Sequence, residues 1–425
     1  MTTVHDLRLG LDPHPDHSPS IGDSPGKALD MRLLPLGLTL PLALATAAFA
    51  GTATASPRPV VVDLGTLPGH AISETIAIDD HGWVAGISYS ENLTTSRAVR
   101  WDAAHQITDL GVVPGTTRSA ASAINKHGTV VGFSYTNDLT DMHAVRWDRD
   151  GRTTDLGTLP GAIGSRAVGV NDHDVIVGVA LLPGNLQRAV RWDAAGRITE
   201  LGLPSGDRNS LVGGIADDGV AFGTTYYDLG RSRPVRWERD GRVTVLESLP
   251  GDSEGAPVVI NDRSVCAGNV YTYGSDQGPH ARRWDRQGRV TDLGTLPGAR
   301  YSQVTGIDDR GTAVGTAQFD DGRTRGVRWD RDGVPTDLGG LGDTTSSAAG
   351  IDRRGRIAGT AKTAAGQDHA VRWDRDGRVV DLGTLPGTGL SSWAVGIDDA
   401  GTVIGNSFTA NGPWHATLWP GPADR

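Results

Sequence analysis

The chain repeats one short sequence at a nearly fixed interval, and this repeat most constrains how it can fold. The heptapeptide DLGTLPG stands at 63–69, 155–161, 292–298 and 381–387. Variants begin at Asp109, Glu200, Val245 and Asp337, which gives eight copies about 45 residues apart. A tryptophan recurs with the same period, usually closing Val-Arg-Trp: Trp101, Trp147, Trp192, Trp237, Trp284, Trp329, Trp373 and Trp419. A period of this length indicates a ring or array of equivalent units.

Each repeat contains four short segments suited to β-strands. In the second repeat they lie at 120–124, 129–135, 143–148 and 152–156. The turns between them begin with Asn or Asp and end with Gly, which is typical of tight hairpins. The 59 Gly and 23 Pro residues fit a turn-rich chain, and no apolar pattern predicts a helix after residue 56. Four antiparallel strands per repeat predict one blade of a β-propeller.

The two ends of the repeat region predict a closed ring. Residues 60–64 form a lone fourth strand, and the chain finishes after a third strand at 415–419. Pairing the two completes the last blade and leaves no exposed sheet edge. We therefore predict an all-β, eight-bladed propeller that occupies residues 56–425 as a single domain.

The repeated residues have structural roles in such a ring. DLGTLPG carries the chain from the outer strand of one blade to the inner strand of the next, because Pro fixes φ and Gly permits a tight turn. The eight tryptophans are expected to fill the gaps between blades, together with the leucines of the heptapeptide. The arginine of Val-Arg-Trp is expected to pair with the acid of DLG, as Arg146 with Asp155.

The N-terminal residues have a different character. Residues 1–30 are polar and Pro-rich, and we interpret them as disordered or as a mis-called start before Met31. Residues 31–55 combine a basic start, an uncharged apolar run and small-residue cleavage sites, which predicts a signal peptide and a secreted, extracellular protein. The alternative is an uncleaved membrane anchor. Cys266 is the only cysteine, and its position favours a small buried apolar residue over a nucleophile.

The order of these motifs resembles that of a known repeat family. DLGTLPG, then A-x-G-I-N/D-x-x-G-x-V-x-G, then H-A-V-R-W is similar to the HAF repeats of extracellular bacterial proteins, over residues 60–419. The His-Ala pair is retained at His143, His280, His369 and His415, whereas the Phe is always replaced. The resemblance implies an exported repeat protein and no particular reaction. A weaker resemblance to WD40 propellers rests on the Trp-Asp pair before a hairpin.

Several kinds of chemistry are disfavoured. A net charge of -10 argues against a nucleic-acid partner. The Asp-Arg-Asp-Gly segments at Asp148, Asp330 and Asp374 are interpreted as hairpin turns rather than calcium loops. The HAF histidines lie in separate blades, so we expect hydrogen-bonded histidines rather than zinc ligands. No nucleophile elbow or phosphate loop is present. We predict no metal, no cofactor, no catalytic residue and no enzymatic activity.

The segments between the second and third strands vary most, and binding sites are particular where scaffolds are periodic. They are expected on the same face as the DLGTLPG connections, with aromatic residues that could stack on sugars or anchor a peptide. The alternative is that these rings only cover the blade ends. The candidate binding residues are Tyr89, Tyr135, Tyr226, Tyr271, Phe408 and Trp414, with Trp393 nearby.

These observations predict a secreted, monomeric scaffold that binds an unknown glycan or protein. The first alternative is an extracellular hydrolase or lyase with a site in the central channel. That would need a polar cluster on the inner strands, where the sequence offers mainly Ala, Gly, Val and Ile. The second alternative is a purely structural surface protein without a small ligand.

Overall fold

A computed structural model describes residues 60–228, 231–252, 254–271, 278–387, 390–410 and 412–422. The predicted mis-called start and signal peptide lie outside these residues. Within the described ranges all regular structure is β-strand, and no helix is long and apolar enough to cross a membrane.

The strands form eight four-stranded blades, numbered here in chain order from the innermost strand outwards. The lone first strand is β1, Val62–Asp63. Blades 1 to 4 comprise β2 Ile72–Ile78, β3 Val84–Tyr89, β4 Ser96–Trp101, β5 Ile107–Asp109; β6 Arg118–Ile124, β7 Val130–Tyr135, β8 Met142–Trp147, β9 Thr153–Asp155; β10 Gly164–Val170, β11 Ile176–Leu182, β12 Leu186–Trp192, β13 Ile198–Glu200; β14 Asn209–Ile215, β15 Ala221–Asp228, β16 Arg231–Trp237, β17 Val243–Val245. Blades 5 to 8 comprise β18 Glu254–Ile260, β19 Cys266–Tyr271, β20 His280–Trp284, β21 Val290–Asp292; β22 Tyr301–Ile307, β23 Ala313–Gln318, β24 Thr324–Trp329, β25 Pro335–Asp337; β26 Gly342–Ile351, β27 Ile357–Thr363, β28 Asp368–Trp373, β29 Val379–Gly383; β30 Ser392–Ile397, β31 Val403–Thr409 and β32 Gly412–Trp419.

The eighth blade is completed by the first strand of the chain. Its sheet has the order β1-β32-β31-β30, with Val62 opposite Leu418 and Asp63 opposite Thr417. The Leu64 N–H extends this pairing by donating to the Ala416 carbonyl at 2.9 Å. The predicted fold class is therefore confirmed, including closure of the ring by the N-terminal strand.

One glycine of each second strand is required by close packing inside the blade. Every innermost strand has a β-bulge at the same place, as between Thr75 and Ala77 in blade 1. Gly86 faces this bulge, and a Cβ on it would lie 2.1 Å from the Glu74 carbonyl oxygen and 2.6 Å from Cζ3 of Trp101. The bulged backbone and the indole of the same blade thus occupy the space that a side chain would need.

The repeated tryptophans and leucines fill the gaps between blades as predicted. All eight tryptophans are at most 1% exposed. Trp101 packs with Leu64 and Leu67 against Ile404 and Leu418 of the eighth blade. Its indole N–H also donates to the Leu64 carbonyl at 2.6 Å. Each junction therefore combines a large buried apolar ring with the connection that precedes it.

A buried serine, which the sequence analysis did not identify, ties the blades together at seven of the eight junctions. Ser119, on the innermost strand of blade 2, accepts from the Ala98 N–H of blade 1 at 3.0 Å and donates to the Gly111 carbonyl of the connection at 2.7 Å. The serines that accept the equivalent N–H bond are Ser73, Ser119, Ser165, Ser210, Ser302, Ser346 and Ser392. The hydroxyl satisfies two buried backbone groups at once.

The turns have the predicted chemistry, but the predicted arginine partner was wrong. Asp148 closes its hairpin by accepting from the Gly151 N–H at 3.0 Å. Arg146 lies opposite Thr154, and the acid of DLG lies opposite the preceding valine, so the two side chains lie on opposite faces of the sheet. Arg146 contacts Asp148 at 2.6 Å and Asp174 at 3.5 Å instead. Arg100 donates to the Gly128, Asp148 and Arg149 carbonyls in two turns of the next blade.

The DLG acids pair with the HAF histidine position, which lies two residues before the valine and on its face of the sheet. His143 contacts Asp155 at 2.8 Å, His369 contacts Asp381 at 2.9 Å, and His415 contacts Asp63 at 3.0 Å. Arg97, Arg188 and Arg325 take this position in other blades and also contact the acid. The expectation of hydrogen-bonded histidines in separate blades is confirmed for these three.

Candidate functional site

The innermost strands surround a central channel whose wall changes along its length. Innermost strands of neighbouring blades contact one another around the ring. Alternate residues on them stay partly exposed, and these line the channel. Near one end is a layer of half-buried aliphatic residues: Ile78, Ile124, Val170, Ile215, Ile260, Ile307, Ile351 and Ile397. Towards the other end, one equivalent position on each innermost strand is occupied by residues of varied chemistry: Glu74, Ala120, Arg166, Leu211, Ala256, Gln303, Ser347 and Trp393.

The channel mouth beside the aliphatic layer carries several aspartates gathered around one arginine. It lies on the turn face, the face with the turns between first and second strands. Arg353 crosses the mouth and contacts Asp262 at 2.9 Å, Asp309 at 3.2 Å, Asp399 at 3.3 Å and Asp80 at 3.8 Å. Burial acts to lower the pKa of Arg353, but these carboxylates outweigh it and the pKa is raised. Arg353 is thus held at this mouth by contacts with carboxylates of four blades.

The opposite face, called here the crossover face, carries the DLGTLPG connections and the variable loops, as predicted. The Ala71 N–H, at the end of a connection, donates to the carbonyl of Tyr89, where the variable loop begins. Connection and loop therefore meet at the same end of each blade.

Three aromatic residues of blade 8 form a cluster on the crossover face. The ring centroids of Trp393 and Phe408 are 5.9 Å apart, those of Trp393 and Trp414 6.1 Å, and those of Phe408 and Trp414 5.9 Å. All three side chains are half-buried. Tilted and edge-to-face rings at these separations stabilise one another and keep an apolar surface at the face of the ring.

A carboxylate from blade 1 borders this cluster. Glu74 accepts from the Trp414 indole N–H at 3.1 Å and from the Tyr89 hydroxyl at 3.5 Å. Blades 8 and 1 are adjacent only because the ring closes. We call Trp393, Phe408, Trp414, Glu74 and Tyr89 the aromatic platform. Three of the predicted binding residues, Tyr89, Phe408 and Trp414, thus lie together, although Tyr89 is itself buried.

The other three predicted residues lie in different blades. Tyr135 is 3% exposed, its hydroxyl lies 3.1 Å from the Ser96 hydroxyl, and Arg118 stacks on its ring. The packing interpretation therefore describes Tyr135. Tyr226 and Tyr271 are half-buried at the ends of the second strands of blades 4 and 5. They lie near the junction at which the repeat changes most.

A cleft of about 360 Å³ lies at the junction of blades 4 and 5, on the crossover face. Val245 replaces the DLG acid there, and Gly255 replaces the linking serine. The residue that would donate an N–H to that serine is Pro234, which has none. The cleft, called here the blade 4–5 cleft, is lined by Tyr227, Ser232, Arg233, Pro234, Val245, Ser248, Asp252, Glu254, Gly255 and Val270.

Reactive and metal-binding groups are sparse in the described residues. Cys266 is buried in an apolar cluster, and burial raises the pKa of its thiol to about 12, as expected for a packing residue. In the ranges that the structure describes, no three His, Cys, Asp or Glu side chains are placed to hold a metal ion. Arg166 differs from the other channel residues. It has no ion pair with any described residue, and burial lowers its pKa.

Comparisons with known proteins show the fold but no family. No family model and no curated protein matches the chain. One prolyl endopeptidase structure is 9% identical with a TM-score of 0.55 and covers 80% of this chain and 52% of that one. Dipeptidyl peptidase 4 of Porphyromonas gingivalis is 12% identical with a TM-score of 0.54 and covers 85% and 58%. A streptogramin B lyase structure is 14% identical with a TM-score of 0.44 and covers 84% and 97%.

The chain thus spans little more than half the length of the two peptidases it resembles in fold. At identities this low the likeness concerns the propeller architecture, which hosts many unrelated functions. The resemblance to HAF repeats stays a prediction.

Proposed function

We propose that this protein is an exported HAF-repeat propeller that binds carbohydrate at or outside the cell envelope, and that the aromatic platform is its binding site. The observation that carries the proposal is the contact of three half-buried aromatic rings beside a carboxylate on the crossover face. Aromatic faces pack against the apolar faces of sugar rings, and a carboxylate accepts hydrogen bonds from sugar hydroxyls.

The platform also departs from the repeat. At the position of Trp393 the other blades have residues such as Ala120 and Leu211, and at the position of Trp414 they have residues such as Ser96 and Gln187. Blade packing is satisfied in those blades without a tryptophan at either position. The two extra indoles are therefore not demanded by the scaffold, which supports a role in binding.

The test is a glycan-binding screen of the purified protein against envelope polysaccharides, followed by calorimetric titration of each glycan that binds. The double variant Trp393→Ala, Trp414→Ala is expected to lose at least about 30-fold in affinity, which corresponds to about 2 kcal/mol for a central aromatic contact. Trp83→Ala is the matched control. Trp83 is half-buried on the turn face beneath Arg100, so its loss leaves the platform intact.

Two results would reject the proposal. One is that no glycan of the panel binds. The other is that the double variant, folded by circular dichroism, binds as tightly as Trp83→Ala.

The enzymatic alternative is tested with the same samples. Its supporting observation is that Glu74 and Arg166 lie at the same level of the channel wall, where most blades have small or apolar residues. We propose binding without turnover, so incubation with a bound polysaccharide is expected to release no reducing ends or unsaturated products. Product formation that Glu74→Gln abolishes would instead support a hydrolase or lyase.

A further inference from the structure

We infer that the blade 4–5 cleft is a second ligand site, separate from the aromatic platform, and that it binds a primary ammonium group carried on an apolar body. Its volume of about 360 Å³ is within the range of small-molecule sites. The inference does not depend on carbohydrate binding at the platform, because the two sites lie at different blade junctions.

Among the described residues of the cleft and its surroundings, the acids other than Glu254 are paired with arginines. Arg233 contacts Asp207 at 3.0 Å, and Arg282 contacts Asp252 at 3.1 Å and Asp292 at 2.7 Å. Both guanidinium groups are therefore occupied by acids. Among the described residues no cation and no hydrogen-bond donor contacts the side chain of Glu254, which is half-buried.

The Glu254 carboxyl is also partly desolvated. Burial raises its pKa, and no positive charge of the described residues opposes the shift. Burial also raises the pKa of Tyr226, and the charge of Glu254 contributes to that shift, so the carboxylate lies near the phenol. A desolvated carboxylate gains most from a group that brings a positive charge and N–H donors.

The remaining wall of the cleft fits the body of such a ligand. Pro234, Val245 and Val270 give it an apolar side, and Val245 is 43% exposed. The hydroxyls of Ser232 and Ser248 supply polar atoms beside it. Arg233 stacks on the Tyr227 ring at 4.2 Å, so that ring is already covered by a cation. The Glu254 carboxylate, rather than a cation–π contact with Tyr227, is therefore the group that selects an amine.

The experiment uses three probes with the full-length protein, measured by ligand-observed NMR and calorimetry. Tyramine supplies a free amine, N-acetyl-lysine methylamide supplies a protein-type lysine side chain, and 4-ethylphenol is the uncharged counterpart of tyramine. At least one amine is expected to bind, and each amine that binds is expected to do so at least tenfold more tightly than 4-ethylphenol. Binding of tyramine alone would indicate a small-molecule ligand, whereas binding of the lysine derivative alone would indicate a lysine of a partner protein.

Two variants make the test specific. Glu254→Gln keeps the shape of the side chain and removes its charge, and it is expected to weaken amine binding at least tenfold. Glu91→Gln changes an exposed acid in a variable loop of the same face and is expected to leave binding unchanged. The inference is overturned if neither amine binds at about 10 mM probe, a concentration at which even weak binding is detected. It is also overturned if Glu254→Gln binds the amine as well as the native protein does, or if 4-ethylphenol binds as well as the amine.

Discussion

Removal of one linking hydroxyl tests whether the serines hold the blades together. In Ser119→Ala the Ala98 N–H loses its acceptor at 3.0 Å and the Gly111 carbonyl loses its donor at 2.7 Å. Ser119 is 0% exposed, so water cannot replace either bond without a local opening. Each orphaned buried group costs about 1–3 kcal/mol, and some relaxation is expected. We therefore expect the free energy of unfolding to fall by about 2–4 kcal/mol.

The assay is urea unfolding followed by tryptophan fluorescence, since the eight repeated indoles are buried in the native ring. Ser205→Ala is the matched control, because Ser205 is exposed in a connection and its loss is expected to change stability by less than about 0.5 kcal/mol. If Ser119→Ala and Ser205→Ala unfold at the same urea concentration with equal slopes, the serine bonds do not stabilise the ring and the reasoning is refuted.

The junction of blades 4 and 5 supplies an internal cross-check of the same argument. A Cβ on Gly255 would lie 3.1 Å from Cδ of Pro234, so Gly255→Ser alone is crowded, and Pro234→Ala alone adds a buried N–H without an acceptor. The double variant restores the donor and acceptor found at the other junctions. The two substitutions are therefore expected to couple favourably by about 0.5–3 kcal/mol in a double-mutant cycle. Additive effects would contradict the proposed pairing.

Two further predictions concern the glycine opposite the bulge and the closure of the ring. Gly86→Ala places a Cβ 2.1 Å from a carbonyl oxygen, so it is expected to lower the free energy of unfolding by about 3 kcal/mol or more, or to prevent folding. Ala85→Gly in the same strand is the control and is expected to lower it by about 1 kcal/mol. Equal urea midpoints for the two variants would contradict the close-packing argument. At ring closure, burial acts to raise the pKa of Asp63, but bonds from His415 and the Gly65 N–H outweigh it and the pKa is lowered. The stability that Asp63 contributes is thus complete above its unfolded pKa of about 3.9 and is lost as the pH falls through the lower folded value. The difference in free energy of unfolding between the native protein and Asp63→Asn is therefore expected to shrink between pH 7 and pH 3 in urea titrations. A difference that stays constant over this range would exclude this role.

Periodicity alone was enough to predict the scaffold. The interval between tryptophans set the number of blades, and the unmatched strand at 60–64 set the mode of closure. The error in the arginine partner came from adjacency along the strand. Arg146 and Asp155 are near in the hairpin, but strand alternation directs their side chains to opposite faces. The period-two rule, applied to both strands of the hairpin, would have selected His143.

The aromatic platform was only partly predictable because it joins distant parts of the chain. Phe408 and Trp414 were selected for their place within one repeat, whereas Glu74 was not considered. Its contact with Trp414 connects residues 340 positions apart. Position within a repeat indicates a face of the ring, but which side chains meet across a junction depends on ring closure and on the bulge that directs the innermost strand.

The departures at the junction of blades 4 and 5 are linked by physical necessity. Pro234 alone would leave a serine hydroxyl without its usual donor, and Gly255 alone would leave an N–H without its acceptor. Present together they leave neither group unpaired. Likewise, Val245 replaces the acid that contacts the HAF histidine position in other blades. Arg233, which stands at that position in blade 4, contacts Asp207 instead. The junction is therefore a second self-consistent packing solution, and it carries a cleft lined in part by Glu254, whose carboxylate has no ion-pair partner among the described residues.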